Sequence, residues 1–144
     1  MRYIWIAFIV ILLAACGGSS EPETAAAYAA RGLARKDQGD LAGAFSDFDQ
    51  AIALDPKRGE AYYGRGRACY DQGDFARAIS DFDQAIAFKP KMPHLYFWRG
   101  RAREAQGDKV GAISDLTRYL ELAPTAPVRA DVEQVIADLS RAKK

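Results

Sequence analysis

The chain has 144 residues, of which 49% are hydrophobic and 27% are charged, a composition typical of a folded domain or a short repeat array. Its formal net charge is +1, which gives neither the basic stripe that nucleic-acid binding needs nor a polybasic membrane patch. Nucleic acid is therefore not an expected partner. The two cysteines, Cys16 and Cys69, are too few for a cysteine zinc site.

The first 15 residues have the layout of an export signal. Arg2 is followed by an apolar run from Tyr3 to Ala15, which is shorter than the roughly 20 residues that a membrane-spanning helix needs. Residues 13–16 read Leu-Ala-Ala-Cys and resemble the lipobox of bacterial lipoproteins. This resemblance implies that residues 1–15 are a signal peptide and that Cys16 becomes the first mature residue, which carries diacylglycerol and an acyl chain such as palmitate. Cys16 then anchors the chain, and no partner remains for Cys69 in an internal disulfide.

The residues after Cys16 predict where the anchored chain lies. Gly17 follows the cysteine, and in the lipoproteins that the leader resembles this points to the outer membrane, with the domain facing the periplasm. Residues 17–24 are rich in Gly, Ser, Glu and Pro and have no apolar periodicity, which is typical of a flexible tether. We therefore expect residues 16–24 to join the membrane anchor to the folded domain.

A period of 34 residues organises the rest of the chain. Gln-Gly-Asp occurs at 38–40, 72–74 and 106–108, and prolines recur in the same register at 56, 90 and 124. The segments beside each Gln-Gly-Asp have apolar residues at helical spacing, the glycine suits a helix end, and the aspartate suits the N-cap of the next helix. The pattern predicts three helical hairpins, at 25–58, 59–92 and 93–126.

Small and aromatic residues recur at fixed positions inside these units. They are Tyr28, Gly32, Ala44, Phe48, Ala51 and Pro56 in the first unit, Tyr62, Gly66, Ala78, Phe82, Ala85 and Pro90 in the second, and Tyr96, Gly100, Ala112 and Pro124 in the third. Leu116 and Tyr119 depart from the pattern in the third unit. The set resembles the tetratricopeptide repeat (TPR) over residues 25–126. The resemblance implies an all-α, right-handed superhelical solenoid whose concave groove holds a segment of a partner protein.

Each unit also departs from that family in the same way. Arginine stands where the family usually has leucine, next to the close-packing glycine, and an aspartate lies three residues after the close-packing alanine on the facing helix. We therefore predict one structural ion pair in each hairpin: Arg31 with Asp47, Arg65 with Asp81, and Arg99 with Asp115. Where the family often has tyrosine, the units have Arg35, Cys69 and Arg103, which we expect to remove apolar packing.

The last segment, 127–144, has Val128, Val132, Val135, Ile136 and Leu139 at helical spacing. It has no second helix to pair with, so it predicts a capping helix that covers the third unit. A role in recruiting a partner is the alternative.

The sequence offers few groups for chemistry. His94 is the only histidine, no glycine-rich loop is followed by Lys-Ser/Thr, and the pairs Asp47/Asp49 and Asp81/Asp83 point to different sides of a helix because they are two residues apart. We predict no catalytic residues, no metal, no cofactor and no enzymatic activity.

A set of aromatic and basic residues on the first helices of the second and third units has the composition of a binding surface. The set comprises Tyr63, Arg67, Tyr70, His94, Phe97, Trp98 and Arg101. Its two arginines at equivalent positions, Arg67 and Arg101, favour an acidic or carboxylate-bearing segment of another envelope protein. Packing between units is the alternative role for the rings. For the whole protein, the leading hypothesis is a lipid-anchored adaptor, and the alternative is an architectural subunit that assembles with copies of itself.

Overall fold

The computed structural model describes residues 24–141, so the predicted leader, Cys16 and most of the tether lie outside the described residues. Seven helices and no strand are present in this range. They are α1 Ala25–Asp37, α2 Leu41–Leu54, α3 Gly59–Asp71, α4 Phe75–Phe88, α5 Pro93–Ala105, α6 Lys109–Leu122 and α7 Arg129–Arg141. None of these helices is both long enough and apolar enough to cross a membrane. The all-α prediction is confirmed.

The Gln-Gly-Asp turns close the three hairpins α1/α2, α3/α4 and α5/α6 by the same local chemistry. Their glycines, Gly39, Gly73 and Gly107, have φ between 80° and 83°, a left-handed conformation that favours glycine. The aspartate that follows each glycine accepts a hydrogen bond from the backbone N–H three residues later, as an N-cap does. Each turn therefore ends one helix, begins the next, and sets the two antiparallel.

Glycines allow a large ring to lie between successive hairpins. Phe48 on α2 is fully buried, and a Cβ added to Gly32 of the same hairpin would lie 2.7 Å from its Cε1 atom. A Cβ added to Gly64 on α3 would overlap the same ring. Phe48 is thus held between a glycine of its own unit and a glycine of the next unit, which fixes how the two hairpins stack.

Helix α7 covers the third unit, as a capping helix does. Its Val132 is buried in a cluster with Leu116, Tyr119 and Leu120 of α6. The helix begins at Arg129, two residues later than the segment predicted from sequence, because Pro127 and Val128 lie in the turn before it. Val128 was expected to belong to the apolar stripe that covers the third unit, but 42% of it is exposed in that turn.

Candidate functional site

Each hairpin contains the arginine–aspartate contact that its spacing predicts. Arg31, Arg65 and Arg99 donate through Nη2 to Oδ1 of Asp47, Asp81 and Asp115 at 2.7, 2.7 and 2.6 Å, and each donates through Nε to the second carboxylate oxygen at 2.9 Å. The three carboxylates are buried. A buried carboxylate that accepts two charge-assisted bonds is satisfied in a fixed orientation, so these residues support the fold.

A second arginine reaches the same carboxylate in two of the units. Arg35 Nη1 lies 3.0 Å from Asp47 Oδ2, and Arg103 Nη1 lies 2.9 Å from Asp115 Oδ2. The hydrogen bond from Arg31 is the main cause that holds the pKa of Asp47 below its usual range, against burial, which raises it. Arg35 and Arg103 do not simply remove packing, as expected from sequence, because each supplies a second positive charge to a buried aspartate.

Two of the arginines also bridge neighbouring units. Arg65 donates through Nη1 to Asp49 of the first unit at 2.7 Å, and Arg99 donates to Asp83 of the second unit at 2.6 Å. The hydrogen bond with Asp81 is the main cause that raises the pKa of Arg65 above its ordinary value. The aspartates two residues apart therefore do point to different sides: one faces its own hairpin, and the other faces the next.

Cys69 occupies in the second unit the position of Arg35 and Arg103. Its side chain is 1% exposed and packs with Ala78, Phe82 and Ala102. Burial raises the pKa of its thiol to about 11. A buried, protonated thiol acts as a small hydrophobic side chain, so Cys69 is not a reactive group of the folded protein.

The predicted groove residues of α3 and α5 form one connected aromatic cluster. The rings of Tyr70 and Trp98 meet edge-on with centroids 5.3 Å apart, and Phe97 meets Trp98 in the same way at 5.3 Å. Tyr63 packs against Phe82 of the hairpin core, with centroids 6.3 Å apart. Most of these rings are only partly buried, so they pack between the second and third units and also leave part of their surface exposed on the face predicted to form the groove.

The two arginines of the groove differ in their surroundings. Arg101 Nη1 lies 2.6 Å from Glu104 on the same helix. Arg67 instead places its guanidinium carbon 3.6 Å from the ring centroid of Trp98 and donates to the Tyr63 hydroxyl at 3.2 Å. Within residues 24–141 no carboxylate lies within 4 Å of Arg67, and its buried Nε has no hydrogen-bond acceptor. Their equivalent positions in the repeat predict the same role for both arginines. In the structure, only Arg67 has a charge that the described residues leave unpaired.

A cavity of about 430 Å³ lies beside this cluster, between the groove face and the capping helix. Tyr70 of α3, Phe97 and Trp98 of α5, and Val132 and Val135 of α7 line it. Arg101 and Asp131 supply charged groups to a lining that is otherwise mostly apolar. The helical pattern of 127–144 indicated a cap but not that α7 also forms one wall of this cavity. The only sequence signal for this second role is the set of apolar residues on α7, which include Val132 and Val135.

His94 lies in the first turn of α5, exposed, and lines a smaller cavity of about 200 Å³ with Phe97, Trp98, Tyr119 and Val128. His94 therefore lies near the rings of the third unit, in a cavity that Arg67 does not line. Among the described residues no group of three His, Cys, Asp or Glu side chains is placed to hold a metal ion.

Comparison with known proteins agrees with this architecture. A tetratricopeptide repeat sequence profile matches residues 29–93, and a second one matches residues 65–137. No curated protein sequence matches the chain significantly.

Several solved structures have the same fold. The first TPR of Spaghetti (RPAP3), bound to the HSP90 peptide SRMEEVD, is 25% identical, with a TM-score of 0.77 over 85% of this chain and 94% of that one. The first TPR domain of human RPAP3 is 26% identical, with a TM-score of 0.73 over 83% and 98% of the two chains. The Yersinia enterocolitica secretion chaperone SycD, in complex with a peptide of the translocator YopD, is 18% identical, with a TM-score of 0.75 over 81% and 92%, and shows likeness of fold alone. Since one profile covers half of the chain and the hairpins have the same architecture, the chain belongs to the tetratricopeptide repeat family.

Proposed function

We propose that this protein is a lipid-anchored adaptor of the bacterial envelope, whose concave groove binds a segment of another envelope protein. The family is one of protein-interaction scaffolds, and the RPAP3 domain that resembles this chain is bound to a peptide. That peptide, SRMEEVD, has three acidic residues. The proposal assigns no catalytic step to the chain and places it at the outer membrane, facing the periplasm, through Cys16.

The observation that carries the groove proposal is the unpaired guanidinium of Arg67. It lies against Trp98 and donates to the Tyr63 hydroxyl, but no carboxylate of the described residues lies within 4 Å of it. A carboxylate of a partner would supply that acceptor, and charge-assisted bonds of this kind are among the stronger polar contacts at interfaces. The cavity beside Trp98 would take a neighbouring apolar side chain of the same segment. The partner segment that fits is therefore acidic, with a large apolar residue close to the acidic one.

The test is photo-crosslinking in the native envelope from a probe placed in the groove, followed by binding measurements with the captured segment as a synthetic peptide. Arg67→Ala should weaken binding at least tenfold, because a desolvated charge pair at an interface contributes about 2 kcal/mol or more. Arg101→Ala is the matched control, since its guanidinium is already paired with Glu104, and it should change affinity much less. Equal losses in both variants, or none in either, would contradict the role given to Arg67.

The anchor has its own test. Cys16→Ser should release the protein from the membrane fraction, because a thioether-linked lipid supplies about 0.8 kcal/mol for each buried methylene. A Cys16→Ser protein that still sediments with membranes, with its leader cleaved, would contradict the lipoprotein proposal while leaving the groove proposal intact.

The architectural alternative has less support from the structure. Head-to-tail stacking of copies needs an open end surface on the third unit, and Val132 of α7 packs onto that unit. The mass of the delipidated protein in solution distinguishes the two. A monomer is expected for the adaptor, whereas a defined oligomer that buries Trp98 favours the architectural subunit.

A further inference from the structure

The two edges of the repeat stack differ in charge. The connector edge is formed by the links between units, 55–58, 89–92 and 123–128, together with the start of α1. The turn edge is formed by the hairpin turns 37–40, 71–74 and 105–108 at the other ends of the helices. The connectors contain four basic residues and one aspartate, a net charge of +3. The turns contain five aspartates, but each lies within 4 Å of a basic side chain of an adjoining helix, so their charge is largely compensated. The near-zero charge of the whole chain conceals this separation.

Two lysines of the connector edge have no ion pair. Lys57 and Lys91 are exposed, and no carboxylate of the described residues lies within 4 Å of either. Their basic neighbours are engaged: Arg58 pairs with Asp55, and Lys89 pairs with Glu60 at the start of α3. The contact between Lys89 and Glu60 also holds two connectors close together. The connector edge therefore presents unpaired positive charge from two adjacent links.

The same edge carries three of the four large hydrophobic side chains that are exposed in the described range. They are Leu54, Phe88 and Val128. Leu54 is 56% exposed at the end of α2, and Phe88 is 36% exposed at the equivalent position of α4. Only Val110 lies near the turn edge. Basic side chains beside exposed apolar ones are the combination that binds the interface of an anionic bilayer.

The chain length between the anchor and the fold brings this edge to the membrane. α1 begins at Ala25, with Thr24 as its N-cap, on the connector edge. Eight residue steps separate Cys16 from Thr24, so this point lies at most about 29 Å from the lipidated residue, whatever the conformation of the tether. The turn edge is about 20 Å farther along the 13-residue helix. The connector edge is the part of the domain that the anchor holds nearest to the headgroups.

We propose that the connector edge binds the surface of an anionic phospholipid bilayer, and that this contact orients the groove to face sideways along the membrane. The inference rests on the proposed lipidation of Cys16. A tether alone would leave the domain free to rotate, whereas a charged and apolar edge selects one orientation. The partner segment then enters the groove parallel to the membrane plane.

The test uses the full-length lipidated protein in vesicles of phosphatidylcholine with or without phosphatidylglycerol. A donor dye is attached to Ala87→Cys at the connector edge or to Gln72→Cys at the turn edge, and energy transfer to a labelled headgroup is measured. The native Cys69 is buried and does not take the dye. On phosphatidylglycerol vesicles the dye at position 87 should show greater transfer than the dye at position 72, and 1 M salt should remove the difference because screening shortens to about 3 Å.

Charge variants make the test specific. Lys57→Ala with Lys91→Ala should lower the preference for the connector-down orientation about 30-fold, since each basic residue near an anionic surface contributes about 1 kcal/mol. The matched control, Arg77→Ala with Lys109→Ala, removes the same charge near the turn edge and should leave the preference unchanged.

Three results would overturn the inference. Equal transfer from positions 72 and 87 in vesicle-bound protein would contradict the oriented contact while the anchor stands. Equal losses in both charge variants would show general attraction and not an oriented edge. Protein that does not float with the vesicles would contradict the anchor, and the inference with it.

Discussion

The hairpin interiors and the groove use the repeat in opposite ways. In the interiors the three units carry the same groups, an arginine bound to a buried aspartate beside a glycine. Along the groove line of the first helices the units differ, apart from an arginine that the second and third units share. The residues there are Ala29, Leu33 and Lys36 in the first unit, Tyr63, Arg67 and Tyr70 in the second, and Phe97, Arg101 and Glu104 in the third.

This contrast separates the residues that stabilise the repeat stack from those that are available for recognition. A position filled alike in every unit meets a requirement that every unit shares, which is to close its hairpin and stack on its neighbour. A position on the groove line that changes from unit to unit is not fixed by that shared requirement and can serve recognition. Substitutions in the interiors should therefore cost stability, and substitutions in the groove should cost binding.

The largest expected effect is that of Asp115→Ala. The Asp115 side chain is 3% exposed and pairs with Arg99 and Arg103, so its removal leaves two partly buried cations facing each other. We expect a loss of about 3–5 kcal/mol in the free energy of unfolding, measured by urea denaturation. Asp49→Ala is the control, because its side chain is 61% exposed and its loss should cost less than about 1 kcal/mol. A similar small cost in both variants would contradict the structural role of the buried pair.

Gly64→Ala should have the next largest effect. Alanine normally stabilises a helix relative to glycine, but here its Cβ would overlap the ring of Phe48 in the preceding unit. The expected cost is about 1–3 kcal/mol in the free energy of unfolding. Combining Gly64→Ala with Phe48→Leu should cost less than the sum of the two single changes, since the smaller side chain gives room for the new methyl group. Simple additivity would mean that the two residues do not compete for the same space.

A smaller effect is expected from Asp47 when the pH is lowered. Its pKa is lower in the folded state than in the unfolded chain, mainly because Arg31 donates to it. Its ionised form therefore contributes stability that is present above the unfolded pKa of about 4 and is lost as the pH falls through the lowered folded pKa. The free energy of unfolding of Asp47→Asn should consequently depend less on pH below about 4 than that of the wild type. An unchanged slope would contradict this linkage.

The smallest effect on stability is expected in the groove. Arg67→Ala removes the contact with Trp98 and the hydrogen bond to Tyr63 but no ion pair, so it should lower the free energy of unfolding by about 1–2 kcal/mol. Its buried Nε has no acceptor to lose. Thermal unfolding measures this effect, and a cost as large as that of Asp115→Ala would place Arg67 with the interior residues and not with the groove.

The helices, their pairing and the arginine–aspartate contacts followed from the sequence because the period repeats the same spacing three times. The roles of Arg35 and Arg103 were missed, although each lies four residues after an ion-pairing arginine, on the same side of its helix. The pairing of Arg101 with Glu104 was likewise visible as an i, i+3 spacing. In both cases the informative signal is the spacing between neighbours on one helix and not the departure from the family pattern.

The shape of the groove could not be predicted in the same way. The cavity beside Trp98 depends on how α7 crosses the third unit, and a helical pattern gives the apolar side of a helix but not its crossing angle. Val128 shows the limit, since its spacing matches the stripe while the preceding Pro127 places it in a turn. The hairpin positions occur three times, so their common pattern indicates their structure. Residues 127–144 occur once, and their sequence alone does not define how α7 packs.

The bridges between units also determine where repeats can be added. Asp49 and Asp83 each accept from the arginine of the following unit, but the equivalent residue of the third unit is Thr117. The next arginine in the series would fall at position 133, where the chain has a glutamate that pairs with Arg129. A duplicate of the second unit inserted after residue 92 would keep a bridge on both sides. The same duplicate placed after the third unit would meet a threonine, so lengthening this protein by gene duplication or design is favoured inside the array and not at its C-terminal end.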